Sequence, residues 1–244
     1  MSKRTLLENA ELAESFWNAV PQIRDSKDIV RATPIVLPLA VVLLAPLTFD
    51  RIRAWFAERH ADAPVRPGGQ RLRGMLLAAR GHGVVFVDAD DDPRQLRISV
   101  AHEIAHFLLH HQVPRQRTLH ALGPSIQPVL DGLRAPSVAE QLAGALRGLD
   151  LASHSHLRPD SLPVGAEAER EREADLLAFA LLAPHSSLAL KSGVASLRAE
   201  LFEHFAFPDW AAHAYAEWLH AHFGNKGSVR DWFAPKSNFG RSGV

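Results

Sequence analysis

The sequence predicts an α+β fold, mostly helical, with a small β-sheet and a C-terminal helical appendage. Three observations carry that expectation. Two long apolar stretches, Ile98 to Gln112 and Glu171 to Leu182, run without Gly or Pro at helical spacing. Between turn residues, Gly83-Val84-Val85-Phe86-Val87-Asp88 reads as one buried strand. A final helical pair, Val194 to His204 and Asp209 to Phe223, closes the pattern. At 244 residues the chain suffices for one large domain, or for one domain with an appendage.

Taken in order, residues 1 to about 60 read as largely helical. The apolar run from Pro34 to Thr48 is broken by Pro34, Pro38 and Pro46. It is shorter than the roughly 20 residues a membrane-spanning helix needs, so it is expected in the core. Phe49 to His60 sets Ile52, Trp55 and Phe56 on one face against Arg51, Arg53, Glu58 and Arg59, an amphipathic helix. Ala61 to Gln70, rich in Pro and Gly, is a loop, and Arg71 to Asp88 holds one or two strands turning at Gly81-His82-Gly83. The acidic turn Ala89 to Pro93 then leads into the first long helix. Gln112 to Ala168 reads as short helices and loops, including a helical run from Val138 to Leu146. After Pro184 the closing helices carry Trp210, Tyr215, Trp218, Leu219 and Phe223, with Asp209 as N-cap and Gly224 as C-cap.

The chemistry concentrates in His102-Glu103-Ile104-Ala105-His106. Residues four apart on a helix are rotated by about 40° and separated by about 6 Å along the axis. Both imidazoles can therefore reach one ion, and Glu103 can take a proton from a water beside it; H-E-x-x-H on a helix is the signature of zinc peptidases. With 14 His and 13 Glu in the chain, chance alone would produce the pentad about once in twenty-five shuffled sequences. The strand, turn and apolar helix around it make the signal stronger than that frequency. The plainer alternative is a histidine-rich amphipathic helix.

A catalytic site needs a third protein ligand and an open position for water. The chain has no cysteine, so that ligand is Asp, Glu or His. Glu171 and Asp175 share a face of the second long helix, beside Ala174, Ala178 and Leu182, whose small and apolar side chains permit close packing. Glu171 is the expected third ligand, with Glu167 and Glu173 as fallbacks, and Asp175 is expected to hydrogen-bond the free ring nitrogen of a metal-binding histidine. The plainer reading makes Glu167, Glu169, Glu171 and Glu173 a solvated acidic helix start favoured by the helix dipole.

The pairing of Ile98-Ser-Val-Ala-His102-Glu-Ile-Ala-His106-Phe-Leu-Leu-His110 with Glu171-Arg-Glu-Ala-Asp175-Leu-Leu-Ala-Phe-Ala-Leu-Leu-Ala-Pro184 resembles the ImmA/IrrE family of bacterial and phage metallopeptidases. The resemblance covers about Gly81 to Pro184 and is interrupted by the long segment Arg115 to Ala168. Ala183 stands where the family often has Met, and Leu177 where it is frequently aromatic. The resemblance implies a zincin-like fold, one Zn2+ per chain on His102, His106 and Glu171, and Glu103 as general base. It also implies a protein substrate, a helix-turn-helix type transcriptional repressor cut at one site in a stress or mobile-element response. The alternative carried beside it is a non-catalytic, zinc-containing protein-binding module, against which an intact Glu103 argues.

On this reading residues 1–190 form a zincin-like metallopeptidase domain, with 112–168 inserted beside the cleft. Residues 191–225 form a C-terminal helical subdomain, and 226–244 a flexible tail. Lys plus Arg equals Asp plus Glu at 27 each, so no basic field argues for direct nucleic-acid binding. The second closing helix carries His213, Glu217, His220 and His222 rather than a basic cluster, which argues against a DNA-reading helix pair. No signal peptide precedes Glu8, and a cytoplasmic, membrane-free protein is expected. His110 is expected to pack or touch substrate, and His154 and His156 to be exposed loop residues. Tyr215, His185, Arg115 and His82 are the open choices for stabilising an oxyanion.

Overall fold

The computed structural model describes residues 3–24, 28–149, 151, 164–188 and 193–223. The fold is α+β and mostly helical, built on a three-stranded mixed sheet. Chain order runs α1 (Lys3–Asn18), α2 (Pro21–Arg24), α3 (Ile29–Val36), β1 (Leu39–Leu44), α4 (Phe49–Ala57), β2 (Gly74–Ala79) and β3 (His82–Asp88). The metal-motif helix α5 (Pro93–Phe107) passes through a π-helical segment, Leu108–Gln112, into α6 (Val113–Leu122). Then follow α7 (Gln127–Leu130), α8 (Val138–Leu146), α9 (Val164–Leu182), α10 (Val194–Glu203) and α11 (Asp209–Phe223).

Strand β3 is central, parallel to β1 and antiparallel to β2. Val85 and Val87 face the main core, and Phe86 faces a second cluster with Leu47, Ile52 and Leu77. Both faces of β3 are thus covered, which explains its continuous apolar run. The first 60 residues are largely helical as expected, with one exception: the Pro-punctuated run holds β1, with Leu39 buried and Leu43 half exposed at 50%. Its register sets Leu39 against Gly83 and Leu44 against Asp88. The β2–β3 turn lies at Arg80 and Gly81, both with positive φ.

Two local devices aim α5. Asp88 at the end of β3 is buried and accepts from Arg71 Nε at 2.6 Å and from the Asp90 N–H at 3.0 Å. Burial alone would raise the Asp88 pKa, but these partners hold it below the usual carboxylate range. Asp92 then caps α5 by accepting the Arg94 N–H at 2.9 Å, with Pro93 in the first turn.

Helix α9 packs along α5, with Ala101, Ala105, Ala174 and Ala178 all buried. Trp17 of α1 donates to the Leu181 carbonyl at 2.7 Å and ties the N-terminal helix to α9. Arg94 donates to the carbonyls of Phe202 and Phe207, and Arg97 to that of Phe205, which anchors the α10–α11 junction on α5. Asp209 lies in the first turn of α11, bound by Arg198 at 2.6 Å, and the Pro208 carbonyl accepts the first helical N–H groups in place of the expected Asp209 cap. The expected Gly224 cap and the 226–244 tail lie outside the described residues, as do His154 and His156. Among the described residues no helix is long and apolar enough to cross a membrane.

Candidate metal centre

His102 and His106 project from one face of α5, and Glu171 reaches them from the facing turn of α9. The two Nε2 atoms are 3.0 Å apart. Glu171 Oε2 lies 3.2 Å from His102 Nε2, and its Oε1 3.3 Å from His106 Nε2. These are close to the edge of a tetrahedron built on Zn–N bonds of 2.0–2.1 Å, about 3.3 Å. Among the described residues this is the one group of His and carboxylate side chains close enough to hold a single ion. Two imidazole nitrogens and a carboxylate are a donor set that zinc accepts, so the residues present fit the metal.

Asp175, one turn along α9, receives a hydrogen bond from His102 Nδ1 at 2.9 Å. With Nδ1 donating to Asp175, Nε2 is the ring nitrogen that faces the centre, where it can carry either a proton or a metal. The charges of the pocket agree. Burial pushes the His102 ring toward its neutral form, but the hydrogen bonds to Asp175 and Glu171 and the charge of Glu103 outweigh it and raise the pKa to about 10. Hydrogen bonds from His102 and His106 hold Glu171 well below the usual carboxylate range. Without an ion, the centre binds a proton where a cation would sit; a metal would replace that proton.

Glu103 sits against the head of β2. Its carboxyl is raised above the ordinary value chiefly by burial, with Glu171 adding to the rise. His102, His106 and a backbone hydrogen bond from Leu76 oppose the shift. A carboxylate raised toward neutrality is better matched to taking up a proton and giving it back. The contact with β2 was not foreseeable from the pentad; the one sequence signal was a glycine, Gly74, opening a strand.

Beyond the pentad, the helix does not continue as α. In the π-helical segment the His110 ring lies beside that of His106, centroids 5.3 Å apart and planes tilted by 48°, consistent with the expected packing role. His111 Nε2 accepts the Gly81 N–H at 3.1 Å and ties the hairpin turn to this helix. The four oxyanion choices make their described contacts elsewhere. Tyr215 is fully buried with its hydroxyl 3.5 Å from the Ala183 carbonyl, and His185 is buried among aromatic rings. Arg115 pairs with Asp131 at 2.6 Å, and His82 is exposed with Nδ1 3.1 Å from the Arg80 carbonyl.

Fold and centre together place a group of side chains that could hold one cation beside the partly buried carboxylate of Glu103, an arrangement that suits a metal-dependent hydrolase. The Peptidase M78 family model, the IrrE N-terminal-like domain, matches residues 65–125. That stretch holds β2, β3, α5 and α6, so the resemblance read from the motifs is borne out there and supports a metallopeptidase-type function. The match ends before Glu171 and Asp175, whose place at the centre rests on the geometry above. No curated protein and no solved structure matches the chain significantly.

Proposed function

We propose that this chain is a zinc-dependent endopeptidase that cuts a protein substrate, and that the substrate is a helix-turn-helix type repressor cleaved at one site. The observation that carries the peptidase reading is the convergence of His102, His106 and Glu171 within 3.3 Å contacts beside Glu103. His102, His106 and Glu171 would hold the zinc. When bound, zinc supplies the Lewis acidity that acidifies water and polarises the scissile carbonyl. Asp175 keeps His102 in the ligating tautomer. Glu103 takes the proton of the attacking water as the new C–O bond forms, then delivers it to the amide nitrogen, and the C–N bond breaks as that nitrogen leaves as an amine. The surrounding apolar core, Ile104 and Ala105 on α5 with Ala174 and Ala178 on α9, keeps bulk water from the buried side of the centre.

Repressor cleavage is supported by the resemblance alone, and a cytoplasmic setting by the cysteine-free composition and the polar N-terminal stretch. The test is to incubate zinc-loaded wild type and Glu103→Gln with soluble cell protein and label the new N-termini. A small set of termini within a repressor, absent with Glu103→Gln, is expected. General acid–base catalysis contributes about 100- to 10,000-fold, so the variant's residual rate should fall by that range. Zinc-loaded wild type that generates no new termini would contradict the peptidase reading, and termini spread over many proteins would contradict single-site cleavage.

A further inference from the structure

The hairpin β2–β3 contains three glycines, and each is there for a different reason. Gly81 occupies the turn with φ +82, a backbone region that favours glycine. Gly83 lies where an added Cβ would come within 2.6 Å of Leu39 Cδ2 and 3.0 Å of the Leu77 carbonyl oxygen, so it is demanded by strand packing. Gly74 fits neither case. Its φ is not positive, and it pairs regularly with Val87 at the head of β2. An ordinary side chain could adopt its backbone, and a glycine there weakens the strand.

What Gly74 provides is space for one side chain. A Cβ at this position would stand 2.7 Å from Glu103 Oε1, 3.2 Å from its Cγ and 3.4 Å from its Cδ. Every one of these three nearest atoms belongs to Glu103. The atom hit hardest is the far end of a flexible side chain, so a methyl group there would move the carboxyl rather than the backbone. We propose that Gly74 is a positioning residue for Glu103: the bare backbone at the head of β2 lets the carboxylate lie against the strand, in reach of the Leu76 N–H and turned to the metal centre. This inference rests on the peptidase reading and adds to it the second wall of the acid–base site, built from the sheet rather than from the motif helix. Catalytic geometry is sensitive on this scale, where a displacement of about 1 Å can lower a rate by about 100-fold.

The experiment compares full-length, zinc-loaded wild type with Gly74→Ala, Glu103→Asp and the double variant. A quenched-fluorescent peptide that wild type cuts reports kcat and KM, and calorimetry reports the affinity of a peptidyl hydroxamate and the matching peptidyl thiol. A hydroxamate passes its proton to a carboxylate beside the metal, whereas a thiolate needs only the metal. In Gly74→Ala we expect one zinc per chain, an unchanged melting temperature and kcat lower by about 10- to 100-fold, with KM within about twofold. Hydroxamate affinity should fall about tenfold, with thiol affinity kept within about twofold. In the Glu103→Asp background, where the carboxyl is withdrawn by one methylene, the alanine should change kcat by less than about twofold. Wild-type kcat and hydroxamate affinity in Gly74→Ala would overturn the proposal, as would equal losses in both backgrounds. Loss of zinc or of folding in Gly74→Ala would also overturn it, because Gly74 would then serve the strand. If wild type cuts no peptide yet binds the hydroxamate through zinc, the peptidase reading fails, while the hydroxamate comparison still decides whether Gly74 positions Glu103.

Discussion

Two histidines on this chain, one partly buried and one buried, have opposite protonation behaviour, and the reason lies in what lines each pocket. His102 meets Asp175 on Nδ1 and Glu171 on Nε2, and its pKa rises to about 10. His185, just past the end of α9, lies beside Tyr215, Trp218 and Phe223, and among the described residues neither of its ring nitrogens has a hydrogen-bond partner. Burial alone acts on it and lowers the pKa to about 4. Burial disfavours the imidazolium in both places, and the hydrogen-bonded carboxylates of α9, helped by the charge of Glu103, reverse the sign at His102. Burial by itself makes a neutral, structural histidine; burial beside oriented carboxylates makes a site for a cation.

The sharpest way to break this contrast is to strip His102 of its partners. In metal-free Glu171→Gln/Asp175→Asn, burial is opposed chiefly by the charge of Glu103, and the His102 pKa should fall well below about 10. NMR titration of the ring protons reads this, and a value remaining near 10 would remove the carboxylates as its cause. A smaller effect is expected at His185. Its folded pKa lies below its unfolded value, so the neutral form contributes stability that is present above about pH 6.5 and lost as pH falls toward about 4. The full contribution is about 3 kcal/mol. His185→Leu should flatten that part of the acid limb in urea titrations at pH 4 to 7, and an unchanged slope would count against a neutral buried ring. Smallest is Asp175→Asn, which keeps the ligands but loosens the tautomer lock. Zinc affinity should drop about 10- to 100-fold in competition with a chromogenic chelator, and wild-type affinity would show that the hydrogen bond does not orient His102.

Those elements whose physics is local were readable from the sequence. The His102, Glu103 and His106 spacing, the Glu171 and Asp175 spacing, the amphipathic α4 and the capped run Val138–Leu146 all follow from helical periodicity and end signals within a few residues. Glu173 is turned away from the histidines by helix rotation, but Glu167 shares the face of Glu171 one turn earlier, and only the axial placement of α9 along α5 selects Glu171 over it. Strand β1 was not legible, because Leu39 to Leu44 is uniformly apolar and carries no alternation to separate a strand from a buried helix. Nor was the passage from α5 into α6. A π-helical turn, Leu108–Gln112, carries the chain into a helix with Pro114 in its first turn, and the Val113 N–H bonds five residues back to Leu108. The wall behind Glu103 is a sheet contact some thirty residues away, set by tertiary packing rather than by any local pattern.

The central claim is that α5 and α9 together form a three-residue zinc site with a separate acid–base carboxylate. Elemental analysis of purified wild type, Glu171→Ala and Glu103→Gln tests it most directly. The account predicts close to one zinc per chain in wild type and in Glu103→Gln, and a marked loss in Glu171→Ala. Full zinc in Glu171→Ala, or none in wild type after reconstitution, would contradict it.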